Sequence, residues 1–99
     1  MSGKRNSNSV IQTIRSIRRE LSDRFTVERI GIFGPVARGD DLPESDVDVE
    51  VVLAEPTFDH FMELKFRLEE ELGRPVNLVL ADTIKPRIKP IIKRETLYV

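Results

Sequence analysis

Cysteine is absent from the 99 residues, so neither a disulfide framework nor a thiolate metal site is open to the chain, and its redox compartment is unconstrained. No apolar run approaches the roughly 20 residues that span a bilayer. The start, Met-Ser-Gly-Lys-Arg-Asn-Ser-Asn-Ser9, lacks the apolar core of a signal peptide. The expected location is therefore the cytoplasm, with no membrane partner. Excess charge of either sign is also missing: 16 Lys and Arg stand against 17 Asp and Glu, for a net charge of −1. A general nucleic-acid binder carries a basic domain, so direct binding of DNA or RNA is not expected. A chain this short holds one modest core, and a large substrate must come with its own folded surface.

The charge that is present is unevenly placed. Residues 1–38 carry eight Lys/Arg and three Asp/Glu, residues 39–72 carry two and twelve, and residues 73–99 carry six and two. The acidic middle between basic ends suits a site that recruits cations better than a uniform surface for polyanions.

Residues 1–9 read as a polar, mobile tail and residues 10–99 as one domain. Ser9 and Gln12 form a capping-box pattern that predicts a helix start. Val10, Ile14, Ile17, Leu21 and Phe25 follow at helical spacing, with Arg15, Arg18, Arg19 and Arg24 off the stripe. These arginines read first as a solvated helix face, and second as a basic surface for a partner or for phosphate. Thr57 is placed to cap a further helix, with Phe58, Phe61, Met62, Leu68 and Leu72 toward the core and Gly73 at its end. Val76–Leu80 has the length and branching of a strand. In the basic segment Lys85–Arg94, Pro90 predicts a turn up to Lys89 and a short helix from about Pro90. His60, the only histidine, has no ligand-type neighbours in sequence and reads as structural or surface.

The segment richest in chemistry is Gly34-Pro-Val-Ala-Arg38-Gly39-Asp-Asp-Leu-Pro-Glu-Ser45-Asp46-Val-Asp48. It lies between a strand predicted over Val27–Phe33 and a second over Asp46–Leu53. Strand side chains alternate, so Asp46 and Asp48 share one face while Val47, Val49, Val51 and Leu53 share the other. Two such carboxylates stand roughly 7 Å apart by strand rise, within reach of shared cations. Glu50 falls on the same face and reads first as an exposed strand charge, and second as a further carboxylate reaching the site. Asp40, Asp41 and Glu44 read as turn formers. The expected fold is α+β: a small mixed sheet of about three strands with helices packed on one face, leaving the carboxylate face open.

These residues resemble a known family. Gly34-x-x-Ala37-Arg38-Gly39-Asp40, then Ser45-Asp46-x-Asp48, a third strand and Leu80-Ala-Asp-Thr-Ile-Lys-Pro-Arg87 are similar to the minimal nucleotidyltransferases of the polymerase-beta-like superfamily. The resemblance implies that Asp46 and Asp48 ligate Mg²⁺, two ions in an active site, and that Gly34, Pro35, Arg38 and Ser45 line the site of ATP. Arg38 either contacts phosphate or locks the loop. Asp46, Asp48 and Asn77 take the catalytic positions, Asn77 standing where the family has a third aspartate. Pro35 stands where the family has serine, removing a hydroxyl and a backbone N–H. Asparagine offers a neutral oxygen but neither charge nor base.

The function implied is transfer of AMP from ATP to a hydroxyl of a partner protein, the partner being a HEPN-domain toxin and the chain its antitoxin within a hetero-oligomer. The alternative is a catalytically degenerate module of the same fold that neutralises or scaffolds its partner by contact. Transfer to a small molecule would need a further domain to shape the acceptor pocket.

Overall fold

The computed structural model describes residues 2–42 and 45–99, with side chains from residue 7 onward. The chain runs α1 (Ser2–Ser16), α2 (Arg18–Phe25), β1 (Val27–Phe33), α3 (Gly34–Arg38), β2 (Val47–Leu53), α4 (Phe58–Leu72) and β3 (Val76–Leu80). A 3-10 turn at Ala81–Thr83, α5 (Lys89–Glu95) and β4 (Leu97–Tyr98) complete it. The strands form one mixed sheet in the order β3-β2-β1-β4, with β1 antiparallel to β2 and to β4 and with β2 parallel to β3. The α+β fold is as expected, with a fourth strand too short to leave a period-2 signature.

The predicted alternation is what divides the two faces. Val47, Val49, Val51 and Leu53 of β2 join Ile30 and Ile32 of β1 and Val76 and Leu78 of β3 in the core. Ile14 of α1, Leu21 and Phe25 of α2, Val36 of α3, and Leu64 and Leu68 of α4 cover them from one side. The opposite face carries Asp48, Glu50 and Asn77, and α5 crosses it with none of its own side chains buried. The helices are therefore not all on one face.

Several local expectations change. The first helix opens at Ser2, not at Ser9, and so takes in residues expected to be a polar tail; Ser7 is buried and Ser9 accepts the Thr13 hydroxyl from inside the helix. One apolar stripe serves two helices, because Ile17 bonds back to Ile14 at 3.1 Å, and the helix resumes from Ile17 at 3.0 Å from Leu21. Phe58 is 76% exposed and Leu64 takes the core position instead. Thr57 caps α4 by accepting the His60 N–H, and Gly73 ends it, as predicted. The His60 ring bonds the Glu55 carbonyl, in keeping with a structural residue. Among the described residues no helix is long and apolar enough to cross a membrane.

Arginines make the long-range tethers. Arg18 donates to the Val27 and Glu28 carbonyls at the start of β1, and Arg24 pairs with Glu20, so half of the arginines expected on a solvated face are engaged within the fold. Arg67 of α4 bonds Glu20 of α2 with two nitrogens, at 2.9 and 3.1 Å, tying the two helices together. Arg74 holds the connection from α3 to β2: its guanidinium bonds Asp41 at 2.7 Å, the Ser45 carbonyl at 2.8 Å and the Leu42 carbonyl at 3.1 Å. Asp41 thereby shapes the loop as predicted, its side chain wholly covered; Glu44 lies outside the described residues.

Two stability predictions follow from these tethers. Hydrogen bonds from Arg67, then Arg24, hold the Glu20 carboxyl at about 2, below its ordinary 4.5. A depressed carboxylate stabilises the fold above its unfolded value and loses that contribution as pH falls through its folded value. Glu20→Gln should therefore lower the urea midpoint at pH 7, and its deficit should shrink as pH falls from about 4.5 toward 2. Arg74→Ala strands the covered Asp41 charge, a change that costs about 3–5 kcal/mol, or a fall in Tm of more than about 10 °C for a domain of this size. The double variant with Asp41→Asn should recover much of that loss in the same thermal melt.

Candidate active site

The site is built where β1 ends. The chain leaves β1 at Phe33, which pairs with Asp48 across the sheet, and Gly34 turns it with φ +73 into the five-residue α3. That φ suits glycine, and the close approach requires it, because a Cβ at Gly34 would overlap the Asp48 carboxylate. Pro35 sits in the first turn of α3, the one helical position where its missing N–H is harmless. Gly39 closes that helix, and the Asp40 N–H bonds the Pro35 carbonyl at 2.8 Å.

Asp48 is held from two sides. Oδ2 lies against Gly34, and Oδ1 accepts from the Asn77 side-chain amide at 3.0 Å, across the parallel pairing that places Asn77 beside Asp48. Asn77 thus supports the carboxylate as a donor, a role an aspartate could fill only when protonated. Asp46 precedes β2 by one residue, not within it as expected. It is exposed, and no hydrogen bond or ion pair holds it among the described residues. Val47 between the two aspartates is fully buried, which fixes both to the outer face.

The remaining motif residues are engaged within the fold. Arg38 donates from Nε to Asp40 at 3.2 Å and from Nη1 to Glu95 at 2.9 Å, so it locks the loop in this state. The Ser45 hydroxyl accepts the Leu42 N–H at 2.9 Å, closing the loop that delivers Asp46. Glu95, which sequence reasoning missed, also accepts the Gly34 N–H at 2.9 Å. The expectation for Glu50 is corrected: it is only 6% exposed. It lines a small cavity with Arg29, Lys89, Lys93 and Tyr98 on the open face. Burial pushes the Tyr98 phenol above its ordinary value, and the nearby Glu50 charge adds to the shift.

The donor set suits a hard cation. Mg²⁺ is bound through one or two carboxylates together with substrate phosphates, and Asp46 and Asp48 supply two on an accessible face. Among the described residues no three Asp, Glu, His or Cys side chains converge on one point, and the position beside Asp48 on β3 is an amide, Asn77. A wide groove lies elsewhere, between α2 and α4 around Glu20 and Arg67.

Comparison with known proteins identifies the family of this fold. Residues 14–99 match the nucleotidyltransferase domain family. The protein adenylyltransferase MntA of Thermococcus cleftensis is 41% identical over 83 residues, covering 83% of this chain and 84% of the relative. A solved structure described as a candidate minimal nucleotidyltransferase is 32% identical with a TM-score of 0.72, covering 87% of this chain and 92% of its own. A toxin–antitoxin crystal structure with AMP-PNP shares the fold at 21% identity and a TM-score of 0.66, covering 94% of this chain and 71% of that one. The chain belongs to the nucleotidyltransferase domain family, and the resemblance to its minimal members is borne out.

Proposed function

We propose that this nucleotidyltransferase moves AMP from ATP to a hydroxyl of a partner protein, and that the partner is a HEPN-domain toxin for which it is the cytoplasmic antitoxin in a hetero-oligomer. The observation that carries the reading is the Gly34–Asp48 contact, which sets a carboxylate beside a backbone N–H at the mouth of the motif loop. Similarity to MntA over most of both chains supports the acceptor class, as does the fold shared with toxin–antitoxin structures.

In this reading the acceptor oxygen attacks the α-phosphorus of ATP, the bond from that phosphorus to the bridging oxygen breaks, and pyrophosphate leaves. Asp46 and Asp48 would hold Mg²⁺, which when bound would neutralise charge and align the attacking and leaving oxygens. Asp48, fixed by Gly34 and the Asn77 amide, keeps its orientation as charge develops, while exposed Asp46 is free to turn toward a cation. Gly34 N–H and the Arg38 guanidinium are the donors placed for the polyphosphate, and Ser45 acts through the loop it closes. Asn77 does not accept the acceptor's proton, which passes to a carboxylate or to water.

A second reading, a binding module that neutralises its partner by contact, is favoured by one observation: the third acidic position is an amide already committed to Asp48. Intact mass separates the two. After incubation of the HEPN-domain partner with this chain, ATP and Mg²⁺, the partner should gain adenylate mass. Asp48→Ala should abolish the gain. An unmodified partner in a stable complex would leave the contact reading. Asn77→Asp should raise the transfer rate about tenfold or more if a carboxylate there takes the proton, general-base contributions running from roughly 10²-fold upward in favourable cases; an unchanged or lower rate would show that the amide's bond to Asp48 is worth more than a base.

A further inference from the structure

Glu95 lies on the last turn of α5, 61 residues from Gly34 and 57 from Arg38, yet its carboxylate is where both point. Oε1 accepts the Gly34 N–H at 2.9 Å and Arg38 Nη1 at 2.9 Å, and Oε2 accepts Nη1 at 3.3 Å. A backbone N–H and a guanidinium converging on one anion is the donor arrangement that recognises phosphate oxygens. We propose that Glu95 is an internal substitute for phosphate, occupying the donors of the polyphosphate site so that a nucleotide enters only by exchange with it. This rests on the reading of Gly34 and Arg38 as the phosphate donors.

Three features make exchange the function of the contact. The occupied position adjoins Asp48, whose Oδ2 lies against Gly34. A phosphate oxygen there can share a cation with Asp48, whereas Glu95 only adds a like charge beside it. Second, leaving is easy: α5 buries none of its side chains, and the Glu95 side chain is already partly exposed. Rotation about its own χ angles carries the carboxylate into solvent with the helix in place. Third, the rest of the strap holds without it. Thr96, beside it, is buried and its hydroxyl bonds the Ile92 carbonyl at 2.7 Å, while Tyr98 pairs with Gly31 in the sheet. Between turnovers Glu95 keeps the Gly34 N–H and Arg38 satisfied, and the loop stays set.

The probe is sodium tripolyphosphate, titrated into the ¹⁵N-labelled full chain and followed at the Gly34 amide and the Arg38 Nε–H, with calorimetry for the Kd. Glu95→Gln keeps the shape and removes the charge. It should bind tripolyphosphate about tenfold more tightly than the wild type, the worth of one charge-assisted hydrogen bond. Glu95→Ala should shift the same way and serves if the Gln variant does not fold. Equal or weaker binding by these variants would overturn the proposal, since a residue that merely orients Arg38 would lower affinity when lost. Absence of binding to any variant would also overturn it, because the freed donors would then not accept phosphate. Neither result touches the mass assay on the partner. Conversely, tighter binding by Glu95→Gln without adenylate transfer would end the transferase reading and leave the exchange standing.

Discussion

The site depends on a missing Cβ. Gly34 turns the chain out of β1 against the carboxylate of the residue paired to its neighbour, and any side chain there would displace Asp48. Because Phe33 and Asp48 are register partners, the loop begins at a fixed distance from the carboxylate that the sheet presents. The antiparallel pairing of β1 with β2 therefore sets the geometry of the motif loop directly. A slip of one residue would turn Val47 and Val49 outward and both aspartates into the core, so the register is enforced by the whole apolar face.

Charge on the open face is arranged reciprocally. The sheet offers Glu50 beneath Lys89 and Lys93 of α5, and α5 returns Glu95 to Arg38 of the loop. Each end of the strap meets the opposite sign, and α5 lies across the carboxylate face with no side chain fully buried, Ile92 being its half-buried apolar residue. The ion pair it makes, Glu95 with Arg38, is half-exposed, of a kind individually weak in water and open to competition from a stronger anion. The apolar side of the sheet has the opposite character, since its core is covered by four helices and has no such freedom.

What the sequence made legible was local. Alternation in β2, the Thr57 and Gly73 caps of α4 and the start of α5 near Pro90 each follow from residues within a few positions of one another, and each is seen. Alternation placed Glu50 on the correct face but could not say what covers it, because Tyr98 and α5 arrive some 40 residues later in the chain. Glu95 and Arg74 were invisible for the same reason: a lone charge gives no sign of a partner 30 to 60 residues away. The stripe from Val10 to Phe25 hid the break at Ile17, since steps of three and four persist across a tight turn as readily as along a helix. The early start of α1 had no apolar signal to announce it.

Asn77 shows how the same departure from a family pattern can be read as damage or as design. An aspartate there would set two carboxylates side by side across β2 and β3, and with no cation bound the pair would repel. The amide removes that repulsion and donates to Asp48 instead, which holds the carboxylate in place. On the proposed reading the consequence is a trade between readiness and strength: fewer charges would draw a cation less firmly, while Asp48 is already oriented. Since Mg²⁺ is satisfied by one or two protein carboxylates when phosphates complete its shell, the loss falls on metal binding in the absence of nucleotide. On the proposed reading substrate and ion would enter as one unit, and Glu95, seated on the Gly34 N–H and Arg38, would occupy the place of that unit.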